Sequence, residues 1–504
     1  MPAQVPDRAD RSRRVERAGG AGNASSGPAK AIAGAPALFE HKISKRSRSR
    51  IVRTLDVHKT IDDARFNRFH WTVLLWCALI IIFDGYDLII YGVVLPKLMA
   101  EWQLSPLEAG ALGSYALFGM MFGALFFGPL SDKIGRRKTI MICVLIFSGM
   151  TFINGYARNP WEFGICRFIA GLGIGGVMPN VVALMTEYSP KRIRSTLVAI
   201  MFSGYSVGGM LSAFIGMTLI PVYGWQPVFW IAGIPLLLLP LIWKFLPESV
   251  GFLVQAGRNE EAAQMLSRVE PSYVPQAGDR FHMPTGKGKS VPLVSLFTDG
   301  RLVSTLMFWL SFFCCLLMVY ALGSWLPKLM NQAGYPLGSS LSFLLVLNFG
   351  AIFGAIGGGW VADRFHLRRV ITLMFVVAAV SISLLGIKSS MPVLYLLVAI
   401  AGACTIGTQI LLYAYVAQFY PLASRSTGIG WASGVGRLGA ILGPMLGGTL
   451  LAAGLELHMN FLAFAIPGAI AGLAISMVGR SAVHAPDEEK NLAFAAETGK
   501  MELD

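Results

Sequence analysis

The sequence predicts an all-α membrane protein with twelve transmembrane helices arranged as two six-helix bundles. Of its 504 residues, 54% are hydrophobic and only 14% are charged, whereas about a quarter of the residues of a soluble domain are charged. Twelve apolar runs follow one another, each close to the ~20 residues that cross a hydrocarbon core. The two halves of the chain also repeat each other, which is typical of carriers built from duplicated bundles.

Each apolar run is expected to be helical. Backbone groups in lipid are satisfied only within a helix or a closed barrel, and the strict alternation of barrel strands is absent. The predicted spans are 71–98, 108–130, 139–157, 161–186, 195–220, 226–246, 302–330, 338–362, 370–387, 391–418, 426–453 and 457–479.

Polar segments divide the chain into five parts. Residues 1–69 form a basic tail without apolar periodicity, for which we expect disorder. Residues 70–246 hold the N-terminal bundle and residues 301–480 the C-terminal bundle. The segment 247–300 is too polar to span the membrane and is predicted to be a cytoplasmic linker, and residues 481–504 are predicted to be a cytoplasmic tail.

Lysine and arginine predict the orientation. Residues 1–70 contain 15 Lys/Arg against 7 Asp/Glu, and the loop after the second span adds Lys133, Arg136, Arg137 and Lys138. Because basic residues concentrate in cytoplasmic loops, both termini are predicted to lie in the cytoplasm of a cell whose inner (plasma) membrane holds the protein. The first apolar segment is too long for a signal peptide and follows a long basic tail.

Composition argues against several other classes. The six cysteines lie within apolar spans and show no CxxC spacing, so neither disulfides nor a metal site is predicted. No nucleophile–base set or phosphate-binding loop is present, so an enzyme or an ATP-driven pump is not expected, and no cofactor is expected either. The basic run 45–50 is expected to meet anionic lipid headgroups or only to fix the topology, and not to bind nucleic acid. We expect the protein to act as a monomer in the lipid bilayer.

An internal repeat relates the two halves. Three separated matches share one shift of 231 residues (326 − 95), and they are Leu95–Met99 with Leu326–Met330, Asp132 with Asp363, and Arg194–Thr196 with Arg425–Thr427. A site shared by two such halves is expected near the middle of the bilayer, where rocking of the halves opens it to each side in turn.

The loop after the second span reads GPLSDKIGRRK over residues 128–138, which resembles the loop signature of the major facilitator superfamily. The second half keeps Asp363 but has His366 where the first has Gly135. Charges at helix ends can pair in one conformation and separate in another, so the signature predicts a latch. The alternative is that these charges only set topology. The candidate gating residues are Asp132, Gly135, Arg136, Glu187, Arg425 and Asp363.

Three ionisable residues lie inside the spans of the N-terminal half. Arg167, with Gly171 and Gly175, resembles the RxxxGxxxG motif of the same superfamily, and a buried arginine needs a carboxylate partner. Asp87 lies at a compatible depth, and Asp84 lies one turn deeper. The charge of Arg167 is expected to keep Asp87 ionised, which leaves Asp84 to carry a proton. The alternative is that both acids only neutralise Arg167.

The motif Asp84-Gly85-Tyr86-Asp87 is similar to the DGxD motif of the aromatic acid/proton symporter family, and residues 70–480 look closest to its benzoate transporters. This resemblance implies uptake of a small aromatic carboxylate together with protons. The residues to which it assigns functional importance are Asp84, Asp87, Asp132, Gly135, Arg167, Arg425 and Arg437.

Arg437 is the predicted site for the substrate carboxylate. It lies twelve residues past Arg425, about 18 Å into the bilayer, and its planar fork suits a carboxylate. The alternative is that it pairs only with an acid of the N-terminal half. Phe83, Tyr86 and Trp431 are candidate walls for the aryl ring, although each is also compatible with ordinary helix packing. Tyr413, Gln409 and Asn348 are polar at membrane depth, and they either contact a ring hydroxyl or bond across helices.

The sequence therefore favours a proton-coupled symporter that imports benzoate or a hydroxybenzoate by alternating access. A porter for another organic anion and an exporter remain the alternatives. A membrane sensor that does not transport is disfavoured, because sensing does not need a proton-carrying acid or a latch.

Overall fold

The computed structural model describes residues 54–276, 279–282, 293–298, 300–420 and 424–479. These residues form sixteen α-helices, two three-residue strands and one 3-10 turn. The elements before the linker are β1 Thr54–Asp56, α1 Val57–Asp62, α2 Arg68–Glu101, α3 Pro106–Ile134, α4 Arg136–Asn154, α5 Pro160–Tyr188, α6 Arg194–Tyr223, α7 Gln226–Ile231 and α8 Ile234–Phe245. The linker and the second half contain α9 Val250–Gln255, α10 Asn259–Val269, β2 Arg280–His282, the 3-10 turn Leu293–Leu296, α11 Leu302–Gln332, α12 Leu337–Arg364, α13 Leu367–Leu384, α14 Met391–Phe419, α15 Arg425–Ala452 and α16 Leu457–Met477.

Within the described residues, twelve spans are long and apolar enough to cross a membrane, which confirms the predicted fold class. The sixth span is α7 and α8 together, Gln226–Phe245. It is interrupted at Ala232 and Gly233 just before Pro235, a residue that has no N–H to continue the helical ladder. Most helices extend a few residues past the predicted apolar runs, and side-chain caps mark the starts of α2, α3 and α5.

The capping residues are visible in the sequence. Asn67 precedes α2 and accepts hydrogen bonds from the backbone N–H groups of Phe69 and His70. Ser105 and Glu108 form a capping box at the start of α3, with Pro106 at the first helical position. These contacts satisfy backbone donors that have no partner within the helix.

Small residues allow the helices of each half to pack closely. Within the first half α2 packs on α6, and α3 packs on α5. A Cβ at Gly85 would stand 2.1 Å from the carbonyl oxygen of Tyr205, and a Cβ at Gly171 would stand 2.1 Å from that of Ala116. The second half repeats this arrangement, with α11 on α15 and α12 on α14. Glycine at these crossings is therefore a condition of the bundle.

Part of the predicted N-terminal tail is ordered. β1 pairs in parallel with β2 of the linker, with Thr54 opposite Arg280, and the Asn67 side chain donates to the carbonyl groups of Arg268 and Val269. Residues 54–67 thus pack on the linker, where the sequence predicts disorder. Val57, Ile61 and Ala64 are buried in the same apolar cluster as Leu266 and Val269 of the linker, and a stripe this short does not stand out in the sequence. The rest of both predicted tails, residues 1–53 and 480–504, lies outside the described residues.

The two ends of the molecule differ in how the halves meet. We call the end with the α3–α4 turn at Gly135 the basic end, and the end with the α2–α3 turn at 102–105 the far end. Toward the far end, the Ser114 hydroxyl of α3 donates to the Ile441 carbonyl of α15 at 2.6 Å. At the basic end of α15, a Cβ at Gly430 or Gly434 would have no atom within 4 Å. The halves are therefore closed at the far end and separated along the basic half of α15.

Gly92→Ala is expected to open the far end. A Cβ at this position would stand 2.0 Å from the carbonyl oxygen of Gly323 on α11, so α2 and α11 would have to separate. Spin labels at Gln103 and Gln332 should then report a longer distance between the far ends of the two helices. Gly149→Ala is the control, because no atom lies within 4 Å of its Cβ position. Equal distance distributions in both variants would contradict the close-packed far end.

Candidate functional site

A buried ion pair joins α2 to α5. Arg167 Nη1 lies 2.8 Å from Asp87 Oδ1, and the two side chains are 2% and 1% exposed. Thr151 of α4 donates its hydroxyl to the same carboxylate oxygen at 2.7 Å. Arg167 Nη2 also donates to the Asp87 carbonyl oxygen at 3.0 Å. The pair therefore ties three helices together and leaves Asp87 with both a countercharge and a neutral donor.

Asp84 lies one turn earlier on α2 and has a different environment. It is 0% exposed, and neither of its carboxylate oxygens has a hydrogen-bond partner among the described residues. The charges of Asp87 and Arg437 act on it. The same helix thus holds one carboxylate whose Oδ1 is engaged by a cation and a hydroxyl and another whose two oxygens have no direct partner among the described residues.

Arg437 comes from α15 of the second half. Three tyrosines surround it electrostatically, Tyr320, Tyr413 and Tyr205, together with Asp84. These residues are contributed by α11, α14, α6 and α2. Arg437 and the three tyrosines are partly exposed although they lie deep in the spans, whereas Asp84 is buried. We call Arg437, Tyr205, Tyr320 and Tyr413 the arginine–tyrosine cluster, and it is reachable from the separated basic half.

A cavity adjoins this cluster between the two halves. It shares Tyr205 and Tyr320 with the cluster, and most of its remaining wall is hydrocarbon. The lining residues are Leu88, Ile89, Tyr205, Val319, Tyr320, Gly323, Ser324, Leu344, Leu347, Asn348 and Ile406. Two phenolic groups that also neighbour Arg437 therefore border an apolar slot.

Tyr205 and Tyr320 are absent from the candidates that the sequence provides. The repeat contains a signal that points to one of them, because the 231-residue shift relates Arg437 to Ser206, the neighbour of Tyr205. Tyr320 carries no comparable signal, since a single tyrosine in an apolar run is compatible with ordinary packing. Tyr413, by contrast, is a predicted residue that the structure places in the cluster, where it packs edge-on against Phe312 at 4.9 Å.

The structure does not bring the three predicted ring walls to this cavity. The Tyr86 hydroxyl donates to the Val228 carbonyl at 2.7 Å within the first half. Phe83 lines a separate cavity formed by α2, α4 and α8. Trp431 is 45% exposed and stacks on Trp309 at 5.8 Å, about 120° around α15 from Arg437. Phe83 and Tyr86 are close to Asp84 in sequence, but they lie on other faces of α2. Closeness along the chain was therefore a poor guide to the cavity wall.

The signature loop at the basic end is held within the first half. Arg136 Nη2 lies 2.7 Å from Glu187 Oε1, and Glu248 Oε1 accepts from the Arg137 N–H at 3.1 Å. Gly135 has φ +95°, and a Cβ there would stand 2.4 Å from Glu248 Oε2. The loop therefore requires glycine for its backbone conformation. Glu248 was not among the predicted gating residues, although it begins the polar linker as part of Pro247-Glu248-Ser249.

The other predicted gating residues are apart in this conformation. Asp132 is exposed and forms no ion pair with another described residue. Arg425 begins α15 and has a buried Nε without a hydrogen-bond partner in the described chain. Asp363 lies near the end of α12, and its side chain is outside the described residues. Within the same limits, no three His, Cys, Asp or Glu side chains cluster as metal ligands.

Comparisons with known proteins agree with this architecture. A family model described as Major Facilitator Superfamily matches residues 77–365 and 348–500. The benzoate transport protein of Acinetobacter baylyi is 46% identical over 458 residues, which cover 90% of this chain and 98% of that protein. The 4-hydroxybenzoate transporter PcaK of Pseudomonas putida is 36% identical, over 86% of this chain and 98% of its own length.

Solved structures show the same fold. The xylose transporter XylE from E. coli, in a partially occluded inward open conformation, superposes with a TM-score of 0.65 at 17% identity. The match covers 82% of this chain and 99% of that one. At this identity the likeness establishes the fold alone.

Arg167→Gln is expected to destabilise the protein strongly. It leaves Asp87 charged and buried without its countercharge, which costs about 3–5 kcal/mol. Unfolding of the detergent-purified protein measures the loss. Arg258→Gln is the control, because the side chains of its ion pair with Glu261 are 44% and 49% exposed and such a surface pair contributes only about 0–1 kcal/mol. Equal losses in the two variants would be incompatible with a structural role for the buried pair.

Proposed function

Because the chain belongs to the Major Facilitator Superfamily, we propose that it is a symporter that imports a small aromatic carboxylate, benzoate or a hydroxybenzoate, together with protons. The chain is a multi-pass membrane transporter and not an enzyme. One observation carries the proposal. Asp84 of the first half is a fully buried carboxylate without a hydrogen-bond partner among the described residues, and it lies in the electrostatic environment of Arg437 from the second half, near an apolar cavity.

Arg437 is the residue that binds the substrate carboxylate in this proposal. Its planar fork matches two carboxylate oxygens, and the hydroxyls of Tyr320 and Tyr413 lie around it as further donors. The adjoining hydrocarbon walls suit a benzene ring. The names of the relatives, benzoate transport protein and 4-hydroxybenzoate transporter, support this class of substrate.

Asp84 carries the proton. When a substrate anion neutralises Arg437, an ionised Asp84 is left as an uncompensated charge in a buried place, and its desolvation is costly. Protonation removes that charge and allows the loaded cavity to close. Asp87 does not take this role, because Arg167 and Thr151 already engage its carboxylate.

Alternating access supplies the cycle. The concentration of basic residues around the signature loop makes the basic end cytoplasmic, so this conformation is open to the cytoplasm and both termini lie on that side of the inner membrane. In the opposite conformation Asp132 meets Arg425 when the basic halves of α3 and α15 close. Gly135, Arg136 and Glu187 hold the loop in place for that contact, and Asp363 belongs to the repeat-related loop. One chain supplies every group, so a monomer suffices.

Transport by purified protein in proteoliposomes tests the function. Counterflow of labelled benzoate is measured against benzoate, hydroxybenzoates and gentisate, and against non-aromatic acids as controls. We expect only the aromatic acids to compete with labelled benzoate. We also expect labelled benzoate to accumulate inside the proteoliposomes when the outside solution is more acidic. Competition by non-aromatic acids would indicate another organic-anion porter, and accumulation in the opposite direction would indicate an exporter.

Arg437→Lys is expected to weaken benzoate binding about tenfold or more, because an ammonium keeps the charge but loses the two-pronged fork. Equilibrium binding to the purified variant measures the change. Arg368→Lys serves as the control, since Arg368 bonds to the Ser476 carbonyl at the basic end and lies outside the cavity. Unchanged affinity in Arg437→Lys would move the carboxylate site elsewhere.

Asp84→Asn is expected to separate transport from proton coupling. The amide imitates the protonated acid permanently, so uptake driven by a pH gradient should be lost. Exchange of labelled for unlabelled substrate, which needs no proton release, should persist. Asp87→Asn is compared in parallel and is expected to lose both activities, because it breaks the pair with Arg167. Full gradient-driven accumulation by Asp84→Asn would refute its role as proton carrier.

A further inference from the structure

Asn348 on α12 has an unmet hydrogen-bonding group. Its side chain is 1% exposed, and Nδ2 donates to the Leu344 carbonyl at 2.9 Å. This bond fixes the orientation of the amide, because the reversed orientation would place two oxygens against each other. The amide Oδ1 is then left without a donor among the described residues.

The first half of the protein leaves room for this amide. Gly209 of α6 lies directly against it, and a Cβ there would stand 2.6 Å from Asn348 Oδ1. Glycine offers no side-chain donor in return. An unpaired acceptor buried in this way costs about 1–3 kcal/mol, so packing between α6 and α12 does not by itself explain an asparagine at this position.

The unpaired oxygen belongs to a residue that lines the cavity between the halves. Six of the other lining residues have aliphatic side chains, and they are Leu88, Ile89, Val319, Leu344, Leu347 and Ile406. Ser324 of α11 adds a hydroxyl to the same wall and is 9% exposed. The cavity is therefore an apolar slot with a few polar groups in its wall.

The slot is continuous with the arginine–tyrosine cluster. Tyr205 and Tyr320 line the cavity and also lie in the electrostatic environment of Arg437. A rigid aromatic acid with its carboxylate at Arg437 would therefore extend its ring past these two tyrosines. The substituent on the ring would then enter the slot that Asn348 borders.

We propose that Asn348 Oδ1 accepts a hydrogen bond from a ring substituent of the substrate, either a hydroxyl or a primary amine. This inference rests on the proposed transport of aromatic carboxylates and names the residue that discriminates among them. A donor on the ring satisfies the buried acceptor, whereas a methyl group of similar size leaves it unmet. A site with a buried polar group discriminates by this difference more strongly than by size alone.

Matched pairs of competitors test the inference on the unaltered protein. Counterflow of labelled benzoate is inhibited with 3- and 4-hydroxybenzoate and with 3- and 4-methylbenzoate, which are similar in shape and differ in the donor. We expect the hydroxyl compound of at least one pair to bind about tenfold more tightly than its methyl partner. Equal inhibition within both pairs would overturn the inference.

Variants assign the preference to Asn348. Asn348→Leu keeps the approximate volume and removes the acceptor, so the ratio of the two inhibition constants should fall close to one. Asn460→Leu is the matched control. Like Asn348, Asn460 is buried, with 2% of its surface exposed, and its Oδ1 has no partner among the described residues while Nδ2 bonds to backbone carbonyls. Unlike Asn348, it lies on α16 and does not line the cavity. A ratio that stays high in Asn348→Leu would place the acceptor elsewhere.

The outcomes separate this inference from the proposed function. If no aromatic acid competes with benzoate, the function itself fails. If aromatic acids compete but the ratio does not depend on Asn348, only the inference fails. If Asn348→Leu does not fold, Asn348→Ser replaces it, because the shorter side chain cannot reach the substituent and should lower the same ratio.

Discussion

A charge in the middle of a bilayer has no water to stabilise it, and the ion pair between Arg167 and Asp87 is the consequence on which this structure depends. The pair joins α2 to α5, and Thr151 brings α4 to the same carboxylate. These contacts engage Asp87, whereas Asp84, the other acid of α2, has no hydrogen-bond partner among the described residues. Because the ion pair uses Asp87 and not Asp84, Asp84 is the acid that remains available for another role.

The repeat builds a symmetric scaffold, but the groups that carry charge are not symmetric. A shift of 231 residues relates Asp84 to Cys315, Arg167 to Val398, and Ser206 to Arg437. The first half thus contributes acids and the second half contributes the guanidinium that faces them. In the proposed cycle, rocking of two similar bundles would change the access to this pair of opposite charges without moving either charge within its own half.

Much of the fold was accessible from the sequence, and the site was accessible only in part. Hydropathy predicts the twelve spans, and the cost of a buried charge predicts that Arg167 has a carboxylate partner. Tyr205 and Tyr320 were missed, because an aromatic residue in an apolar run has no feature that separates a cavity wall from ordinary packing. Phe83 and Tyr86 were assigned to the cavity from their position in the chain, but α2 turns them toward α8 and α7.

By itself, the sequence determined the number of spans, the duplication, the basic end and the presence of two acids and two arginines at membrane depth. These features depend on composition and on short-range order, which a chain carries before it folds. Tertiary structure decided which acid is paired and which residues border the cavity. Asp84 and Asp87 lie about 60° apart around α2, so their different surroundings come from the helices packed against each face, and no local pattern in the chain encodes that packing.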